Sequence, residues 1–397
     1  MKDLLKFLLF FVFAFFNLSE AQPQLLLTRP AAVDSVFKNN PGIIASVKQV
    51  ERQQALKKGS FMLDRTELWM EAPTSTRFAL GIQQNFSFPT LYFNEVKLQK
   101  ENVRLAEKEL GINKNALAKN IENLYLEMQY TSARLVQLKY QDSIYGRLLK
   151  ATEKRYSVGE VEYLEKVLEE TKYHEVNNQL QQAYKERESL QEQILLLTGI
   201  AADSLELEVL NKYPLIDFSR RDTSFLSRNP LIGYYNHNRL VSQRVLKVQR
   251  SNFLPNFFAG YLNQGNSDSE ILYRFRFGIS VPLWFPAYIS RIKSARIGID
   301  IADYQYQAAV NSVRVEYYKA YSDYDKSRLD LQYYENKALK QSDEIIRTAT
   351  RLYSVGEISY FNHLSGLAQG MDIKMRYLDA LKEYNQSIIN LKYLRGE

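Results

Sequence analysis

Few residues in this chain are equipped for chemistry. Its three histidines, His174, His237 and His363, are scattered, and the one methionine pair at helical i, i+4 spacing is Met371 with Met375. Two thioethers one turn apart could meet a soft cation, but a packed or surface pair is the commoner meaning of that spacing. Cysteine is absent, which removes disulfides, thiol catalysis, thiolate metal sites and a lipid anchor on an N-terminal cysteine. No nucleophile and base set, phosphate loop or metal-ligand cluster is legible. The chain is therefore not expected to be an enzyme, or to hold a cofactor or metal.

The residues that do form a pattern make a turn written twice. "RYSVGE" at 155–160 returns as "LYSVGE" at 352–357, so Val158, Gly159 and Glu160 correspond to Val355, Gly356 and Glu357. Glycine in that place permits a tight reversal between antiparallel helices, and an exposed glutamate beside it could pair with a basic partner. The two glycines stand 197 positions apart. "GIQQNFSFP" at 81–89 meets "GISVPLWFP" at 278–286, and "LTG" ending at Gly199 meets "LRG" ending at Gly396, at the same offset. Asn40-Pro41 and Asn229-Pro230 form a fourth pair at an offset of 189. Anchors at one shared spacing mark an internal duplication, with repeats at roughly 22–214 and 215–397.

Each repeat reads as short helix, long helix, two strands, long helix, turn and long helix. Proline after Asn40 suits the start of a new helix, and the helix from about 91 to 155 is stopped by Val158-Gly159. The returning helix carries Val176, Leu180, Ala183, Leu190, Ile194 and Leu197, with Arg187 as the one break. Intervals of three and four predict a coiled-coil stripe.

Strands are expected at about 60–72 and 76–88, and again at about 253–264 and 270–284. Phe78, Leu80, Ile82, Phe86 and Phe88 alternate with Arg77, Ala79, Gly81, Gln83, Asn85 and Ser87. In the second repeat Ile271, Tyr273, Phe275, Phe277, Ile279, Val281 and Leu283 alternate with Leu272, Arg274, Arg276, Gly278 and Ser280. An apolar aromatic face opposite a small, polar or arginine face is what a membrane barrel strand shows to lipid and to lumen. A half-buried soluble sheet alternates too, but the narrow helical stripes leave nothing to cover so many aromatic rings. Arg77, Gln83, Arg274 and Arg276 are thus expected in a lumen, where Gly278 should also tolerate an acidic side chain. Four strands cannot close a barrel, since the smallest membrane barrels have about eight. Eight strands in a dimer and twelve in a trimer both satisfy that arithmetic.

Residues 1–21 have the charged start, apolar run and small-residue end of a signal peptide, so export is expected. The formal net charge of +7 is spread among interleaved acids and bases, as on a solvated coiled-coil surface, and no nucleic-acid partner is expected.

In the order and doubling of these parts, the chain resembles the TolC-like outer-membrane efflux proteins. The parts that carry the resemblance are the Asn-Pro near each repeat start, the "FP" step before each long helix and the aromatic-x-Val-Gly turn. "YSVGEISYFNHL" and "YLDALKEYNQSIINLKYL" look most like the heavy-metal-efflux branch, the CusC and CzcC type. The resemblance implies a mainly α fold with membrane β: a homotrimer whose four strands per chain close a twelve-stranded barrel in outer-membrane lipid, above a long periplasmic helical barrel. It also implies a passive conduit, with heavy-metal cations as the expected cargo, that serves a periplasmic adaptor protein and an inner-membrane pump of the resistance-nodulation-division type. The Val158-Gly159 and Val355-Gly356 turns would meet the adaptor; the family usually has leucine where Glu160 and Glu357 stand. Glu165 and Asn362 occupy the place, six past each glycine, where some relatives gate the aperture with acids. Export of drugs or of proteins by type I secretion is the alternative cargo. A secreted coiled-coil structural protein or adhesin is the alternative of another class, and the arginines expected in the lumen weigh against it.

Overall fold

The computed structural model describes residues 25–74, 77–202, 204–215, 219, 223–263 and 274–397. The expected signal peptide, Ile271, Leu272 and Tyr273 lie outside these residues. In chain order the elements are β1 (Leu25–Leu27), α1 (Arg29–Asn39), α2 (Pro41–Lys58), β2 (Glu67–Thr74), β3 (Arg77–Phe86), α3 (Pro89–Ser157), α4 (Tyr163–Thr198) and β4 (Leu205–Leu207). There follow α5 (Phe225–Arg228), α6 (Pro230–Ser251), β5 (Asn256–Asn263), β6 (Phe275–Ser280), α7 (Phe285–Tyr333), a π-helical turn (Tyr334–Ala338), α8 (Leu339–Ser354) and α9 (Tyr360–Arg395). The fold class is the expected one, mainly helical with a few strands. No helix among the described residues is long and apolar enough to cross a membrane.

The chain forms two compact units that do not follow the repeats. One gathers Met1–Asn40, Asn120–Pro214 and Lys326–Gln386; the other gathers Pro41–Lys119, Leu215–Asp325 and Ser387–Glu397. Each unit thus takes residues from both sequence repeats, and the repeat is a relation of sequence rather than a compact body.

The first unit holds the turn ends of both helical hairpins, α3 from Asn120 onward with α4, and α8 with α9 as far as Gln386. Along α4 the buried positions are Glu169, Val176, Leu180, Ala183, Leu190, Ile194 and Thr198. Thr198 replaces Leu197 at the end of the expected stripe, because its hydroxyl donates back to the Ile194 carbonyl at 2.7 Å and is satisfied in the core. Leu180 and Ala183 pack on Leu135 and Leu138, and Val176 packs on Tyr145 and Met371. Met375 joins the first of these clusters, so the methionine pair serves as core. The end of α1 is tied to the end of α4, since the Asn39 side-chain amide donates to the Thr198 carbonyl at 2.8 Å.

The second unit holds one antiparallel sheet in the order β2-β3-β5-β6, so that β3 of the first repeat pairs with β5 of the second. The strands depart from the expected bounds for local reasons. β2 begins at Glu67 instead of near 60, because Phe61 packs on the Tyr92 ring of α3. It also runs through Ala72-Pro73, which edge position and a register shift after Glu71 allow. β5 begins at Asn256 because Phe253 packs on Phe285 and Tyr288. β6 ends at Ser280, ahead of Pro282, which has no amide to give a ladder.

Candidate functional site

Both repeated turns are built the same way, from the same hydrogen-bond pattern. The Gly159 amide donates to the Tyr156 carbonyl at 3.0 Å and the Glu160 amide to the Arg155 carbonyl at 2.9 Å. In the second copy Gly356 donates to Tyr353 at 3.1 Å and Glu357 to Leu352 at 2.9 Å. This is the Schellman closure of a helix end, which needs a left-handed residue after the cap. Gly159 and Gly356 supply it with φ of 77° and 78°. Just before each glycine, Val158 and Val355 are 66% and 63% exposed. Paired rings brace each reversal, Tyr156 with Tyr163 at 6.0 Å and Tyr353 with Tyr360 at 6.1 Å. Nothing lies within 4 Å of where a Cβ on either glycine would be.

The charges around the turns are not duplicated. Arg155 lies 3.5 Å from Glu160 and 3.7 Å from Glu165, and it donates to the Tyr353 hydroxyl at 2.8 Å. It therefore joins one hairpin to the other. Leu352 takes its place in the second copy, where Glu357 is exposed and has no ion-pair partner among the described residues. Glu165 is largely buried, and burial raises its carboxyl above the usual range, offset in part by Arg155 and reinforced by Glu162. Asn362 is exposed, its backbone amide meeting the Ser359 hydroxyl at 3.3 Å.

The strand residues sort by register. Leu68 opposite Ile82, Met70 opposite Leu80, Phe257 opposite Ile279 and Tyr261 opposite Phe275 fall on one face, with Phe277. Those eight apart from Tyr261 are exposed, Phe277 by 77%. Gln83 lies on the other face with Glu67, Asn85, Gly260 and Arg276. Arg274 precedes β6 and meets the Tyr261 hydroxyl at 3.5 Å; Arg77 opens β3, and its side chain lies outside the described part. Two aromatic rings on this second face escaped sequence reasoning. The Trp69 indole covers Gly81 and the Phe258 ring covers Gly278, each glycine being opposite the ring that covers it. Any side chain at Gly278 would run into Phe258, so the expectation of tolerance there is corrected. A glycine cross-strand from an aromatic was the available signal.

The histidines do not come together. His174 is exposed beside Glu170, whereas His237 is buried with its Nε2 3.2 Å from a Glu101 carboxylate oxygen. His363 is buried against Tyr353, rings stacked at 4.3 Å, and burial lowers its pKa.

A mainly helical chain with a small antiparallel sheet and doubled hairpins is the fold of a class of bacterial outer-membrane channels. The Campylobacter jejuni CmeC outer membrane channel superposes with a TM-score of 0.78 at 15% identity, over 93% of this chain and 85% of that one. The outer membrane protein VceC of Vibrio cholerae gives 0.75 at 15% identity, over 93% and 96%. CusC gives 0.76 at 15% identity, over 92% and 91%. No family model and no curated protein matches the sequence.

Proposed function

We propose that three copies of this chain form an outer-membrane efflux channel. The single observation that carries the reading is the sheet: one face bears exposed Leu68, Met70, Leu80, Ile82, Phe275, Phe277 and Ile279, the other Glu67, Gln83, Asn85 and Arg276 beside the Trp69 and Phe258 rings, and among the described residues β2 and β6 are unpaired along their outer edges. In lipid an open edge leaves backbone groups unsatisfied. Pairing β6 of one copy with β2 of the next removes both edges, and three copies make twelve strands. Phe277 and its neighbours then face acyl chains, while Arg276 and Gln83 line the lumen. The likeness to known channels over nearly the whole chain supports this assembly.

The helical hairpins would lie in the periplasm and present Val158-Gly159 and Val355-Gly356 to an adaptor protein that connects to an inner-membrane pump. Two Schellman turns with exposed valines support that role. Glu357, whose carboxylate has no ion-pair partner among the described residues, is the better candidate for a basic group on the adaptor; Glu160 is shared with Arg155. For cargo we propose heavy-metal cations, on the resemblance of the second hairpin. Met371 is packed in the core, so these cations would pass without being held by the methionine pair.

The experiment places Asp at Phe277 and, separately, at Ser280 on the opposite face. Asp at Phe277 should keep the protein from the outer membrane, since a charged side chain on the lipid face is destabilising, Asp by less than the roughly 2 to 4 kcal/mol that Arg or Lys costs at mid-bilayer. Asp at Ser280 should leave trimers intact on cross-linking, and equal defects at the two sites would overturn the barrel. Gly356→Trp, which forces a bulky residue into the left-handed region at about 1 to 2 kcal/mol, should leave trimers in the membrane but abolish adaptor co-purification. Glu357→Lys should weaken that co-purification most at low salt. Cells carrying Gly356→Trp should also become sensitive to metal salts.

A further inference from the structure

We propose that the first hairpin is a proton-sensitive element: neutral Glu169 seals α3 against α4, and its ionisation loosens that contact. Glu169 is fully buried, and neither carboxyl oxygen has a hydrogen-bond partner among the described residues. On the facing helix the group coupled to it is Tyr145, also fully buried and with a hydroxyl that has no hydrogen-bond partner among the described residues, whose pKa burial and then Glu169 push up to about 12. On its own helix Glu165 lies one turn back, its buried Oε1 without a hydrogen bond among the described residues but 3.7 Å from Arg155. The nearby cation, Arg155, is already shared among Glu160, Glu165 and the Tyr353 hydroxyl. The other helices packed around Tyr145 bring Ile346, Leu364 and Met371, with Tyr173 from α4; His363 is turned onto Tyr353.

An unpaired carboxylate in such a place is far more costly than the neutral acid. Burial first, then the charge of Glu165, raises Glu169 to about 7. The sign follows from that direction. A carboxyl raised in the packed state contributes stability that is complete below its ordinary value near 4.5, and the contribution is lost as pH rises through about 7. The second hairpin has Gly366 in the corresponding place. Its buried titrating group, His363, is lowered by burial, so it responds in the opposite sense, weakening only as pH falls. The proposal concerns packing within one hairpin and stands whether or not the turns dock an adaptor.

The test is hydrogen exchange on the full-length protein in detergent, read over residues 165–180 and 363–377 and corrected for the intrinsic pH dependence of exchange. Linkage predicts that opening of the first segment rises about tenfold from pH 6 to pH 8, while the second shows no rise. Glu169→Gln should flatten the first profile, and Glu169→Met serves the same purpose if the Gln variant does not assemble. A flat wild-type profile in the first hairpin would overturn the proposal, as would a slope that survives in the uncharged variant.

Discussion

The two hairpins share a turn and differ in their stems. At positions 197 apart, Tyr145 faces Ser342, Gly146 faces Asp343, Thr152 faces Ala349, Glu169 faces Gly366 and Tyr173 faces Gly370. In the first hairpin the small residue is on the outgoing helix, where a Cβ on Gly146 would come 3.2 Å from the Tyr173 ring. In the second the small residues are on the returning helix. Gly366 leaves only 2.8 Å between its own added Cβ and that of Ala349, and the Ser342 hydroxyl donates to the Gly370 carbonyl at 2.7 Å. Among the described residues, one stem is closed by backbone approach with the Ser342 hydroxyl satisfied and the His363 ring nitrogens without a hydrogen bond; the other is filled by bulky side chains with Glu169 and Tyr145 unsatisfied. The turn geometry is what both copies retain, as the proposed docking role would require, while the stems are free to differ in stability and in their response to pH.

The comparison breaks most sharply if the second stem is given the first one's carboxyl. Gly366→Glu adds a side chain where there is no room, at about 1 to 3 kcal/mol for overpacking, and adds the penalty of an unpaired acid. Local unfolding of α8 and α9 should become the first transition seen by hydrogen exchange. Normal protection there would show that the stems are interchangeable.

A smaller effect is expected from Arg155→Leu, which copies Leu352. The ion pairs lost are partly exposed, and such pairs contribute about 0.2 to 1 kcal/mol each. With the favourable charge gone, the Glu165 carboxyl should titrate higher still, and exchange at residues 155–165 should quicken. If it does not, Arg155 does not join the hairpins in solution. The smallest effect is expected from Asn362→Glu, an exposed change worth within about 0.5 kcal/mol, detectable only as a slight shift in thermal midpoint.

Much of this was legible in the sequence, because repeats, turns and alternation are local signals. Gly159 and Gly356 announce a left-handed cap by residue type, and Phe275, Phe277 and Ile279 announce a face by period. Glu169 was not legible. It stands seven residues before Val176 and so on the stripe, but a glutamate on a charged helix reads as solvent-facing, and only packing shows it buried. The strand ends were missed for a related reason: Phe61 and Phe253 read as strand aromatics until their partners on the helices are known. Arg155 could not be assigned either, because its hydroxyl partner Tyr353 lies 198 residues away.

The measurement that bears most directly on the account is the conductance of the purified protein in a planar lipid bilayer. Three chains closing a barrel around Arg276 and Gln83 should give stable, uniform conductance steps from wild type and Ser280→Asp, and none from Phe277→Asp. A protein that stays soluble without detergent and carries no current at any concentration would contradict the channel.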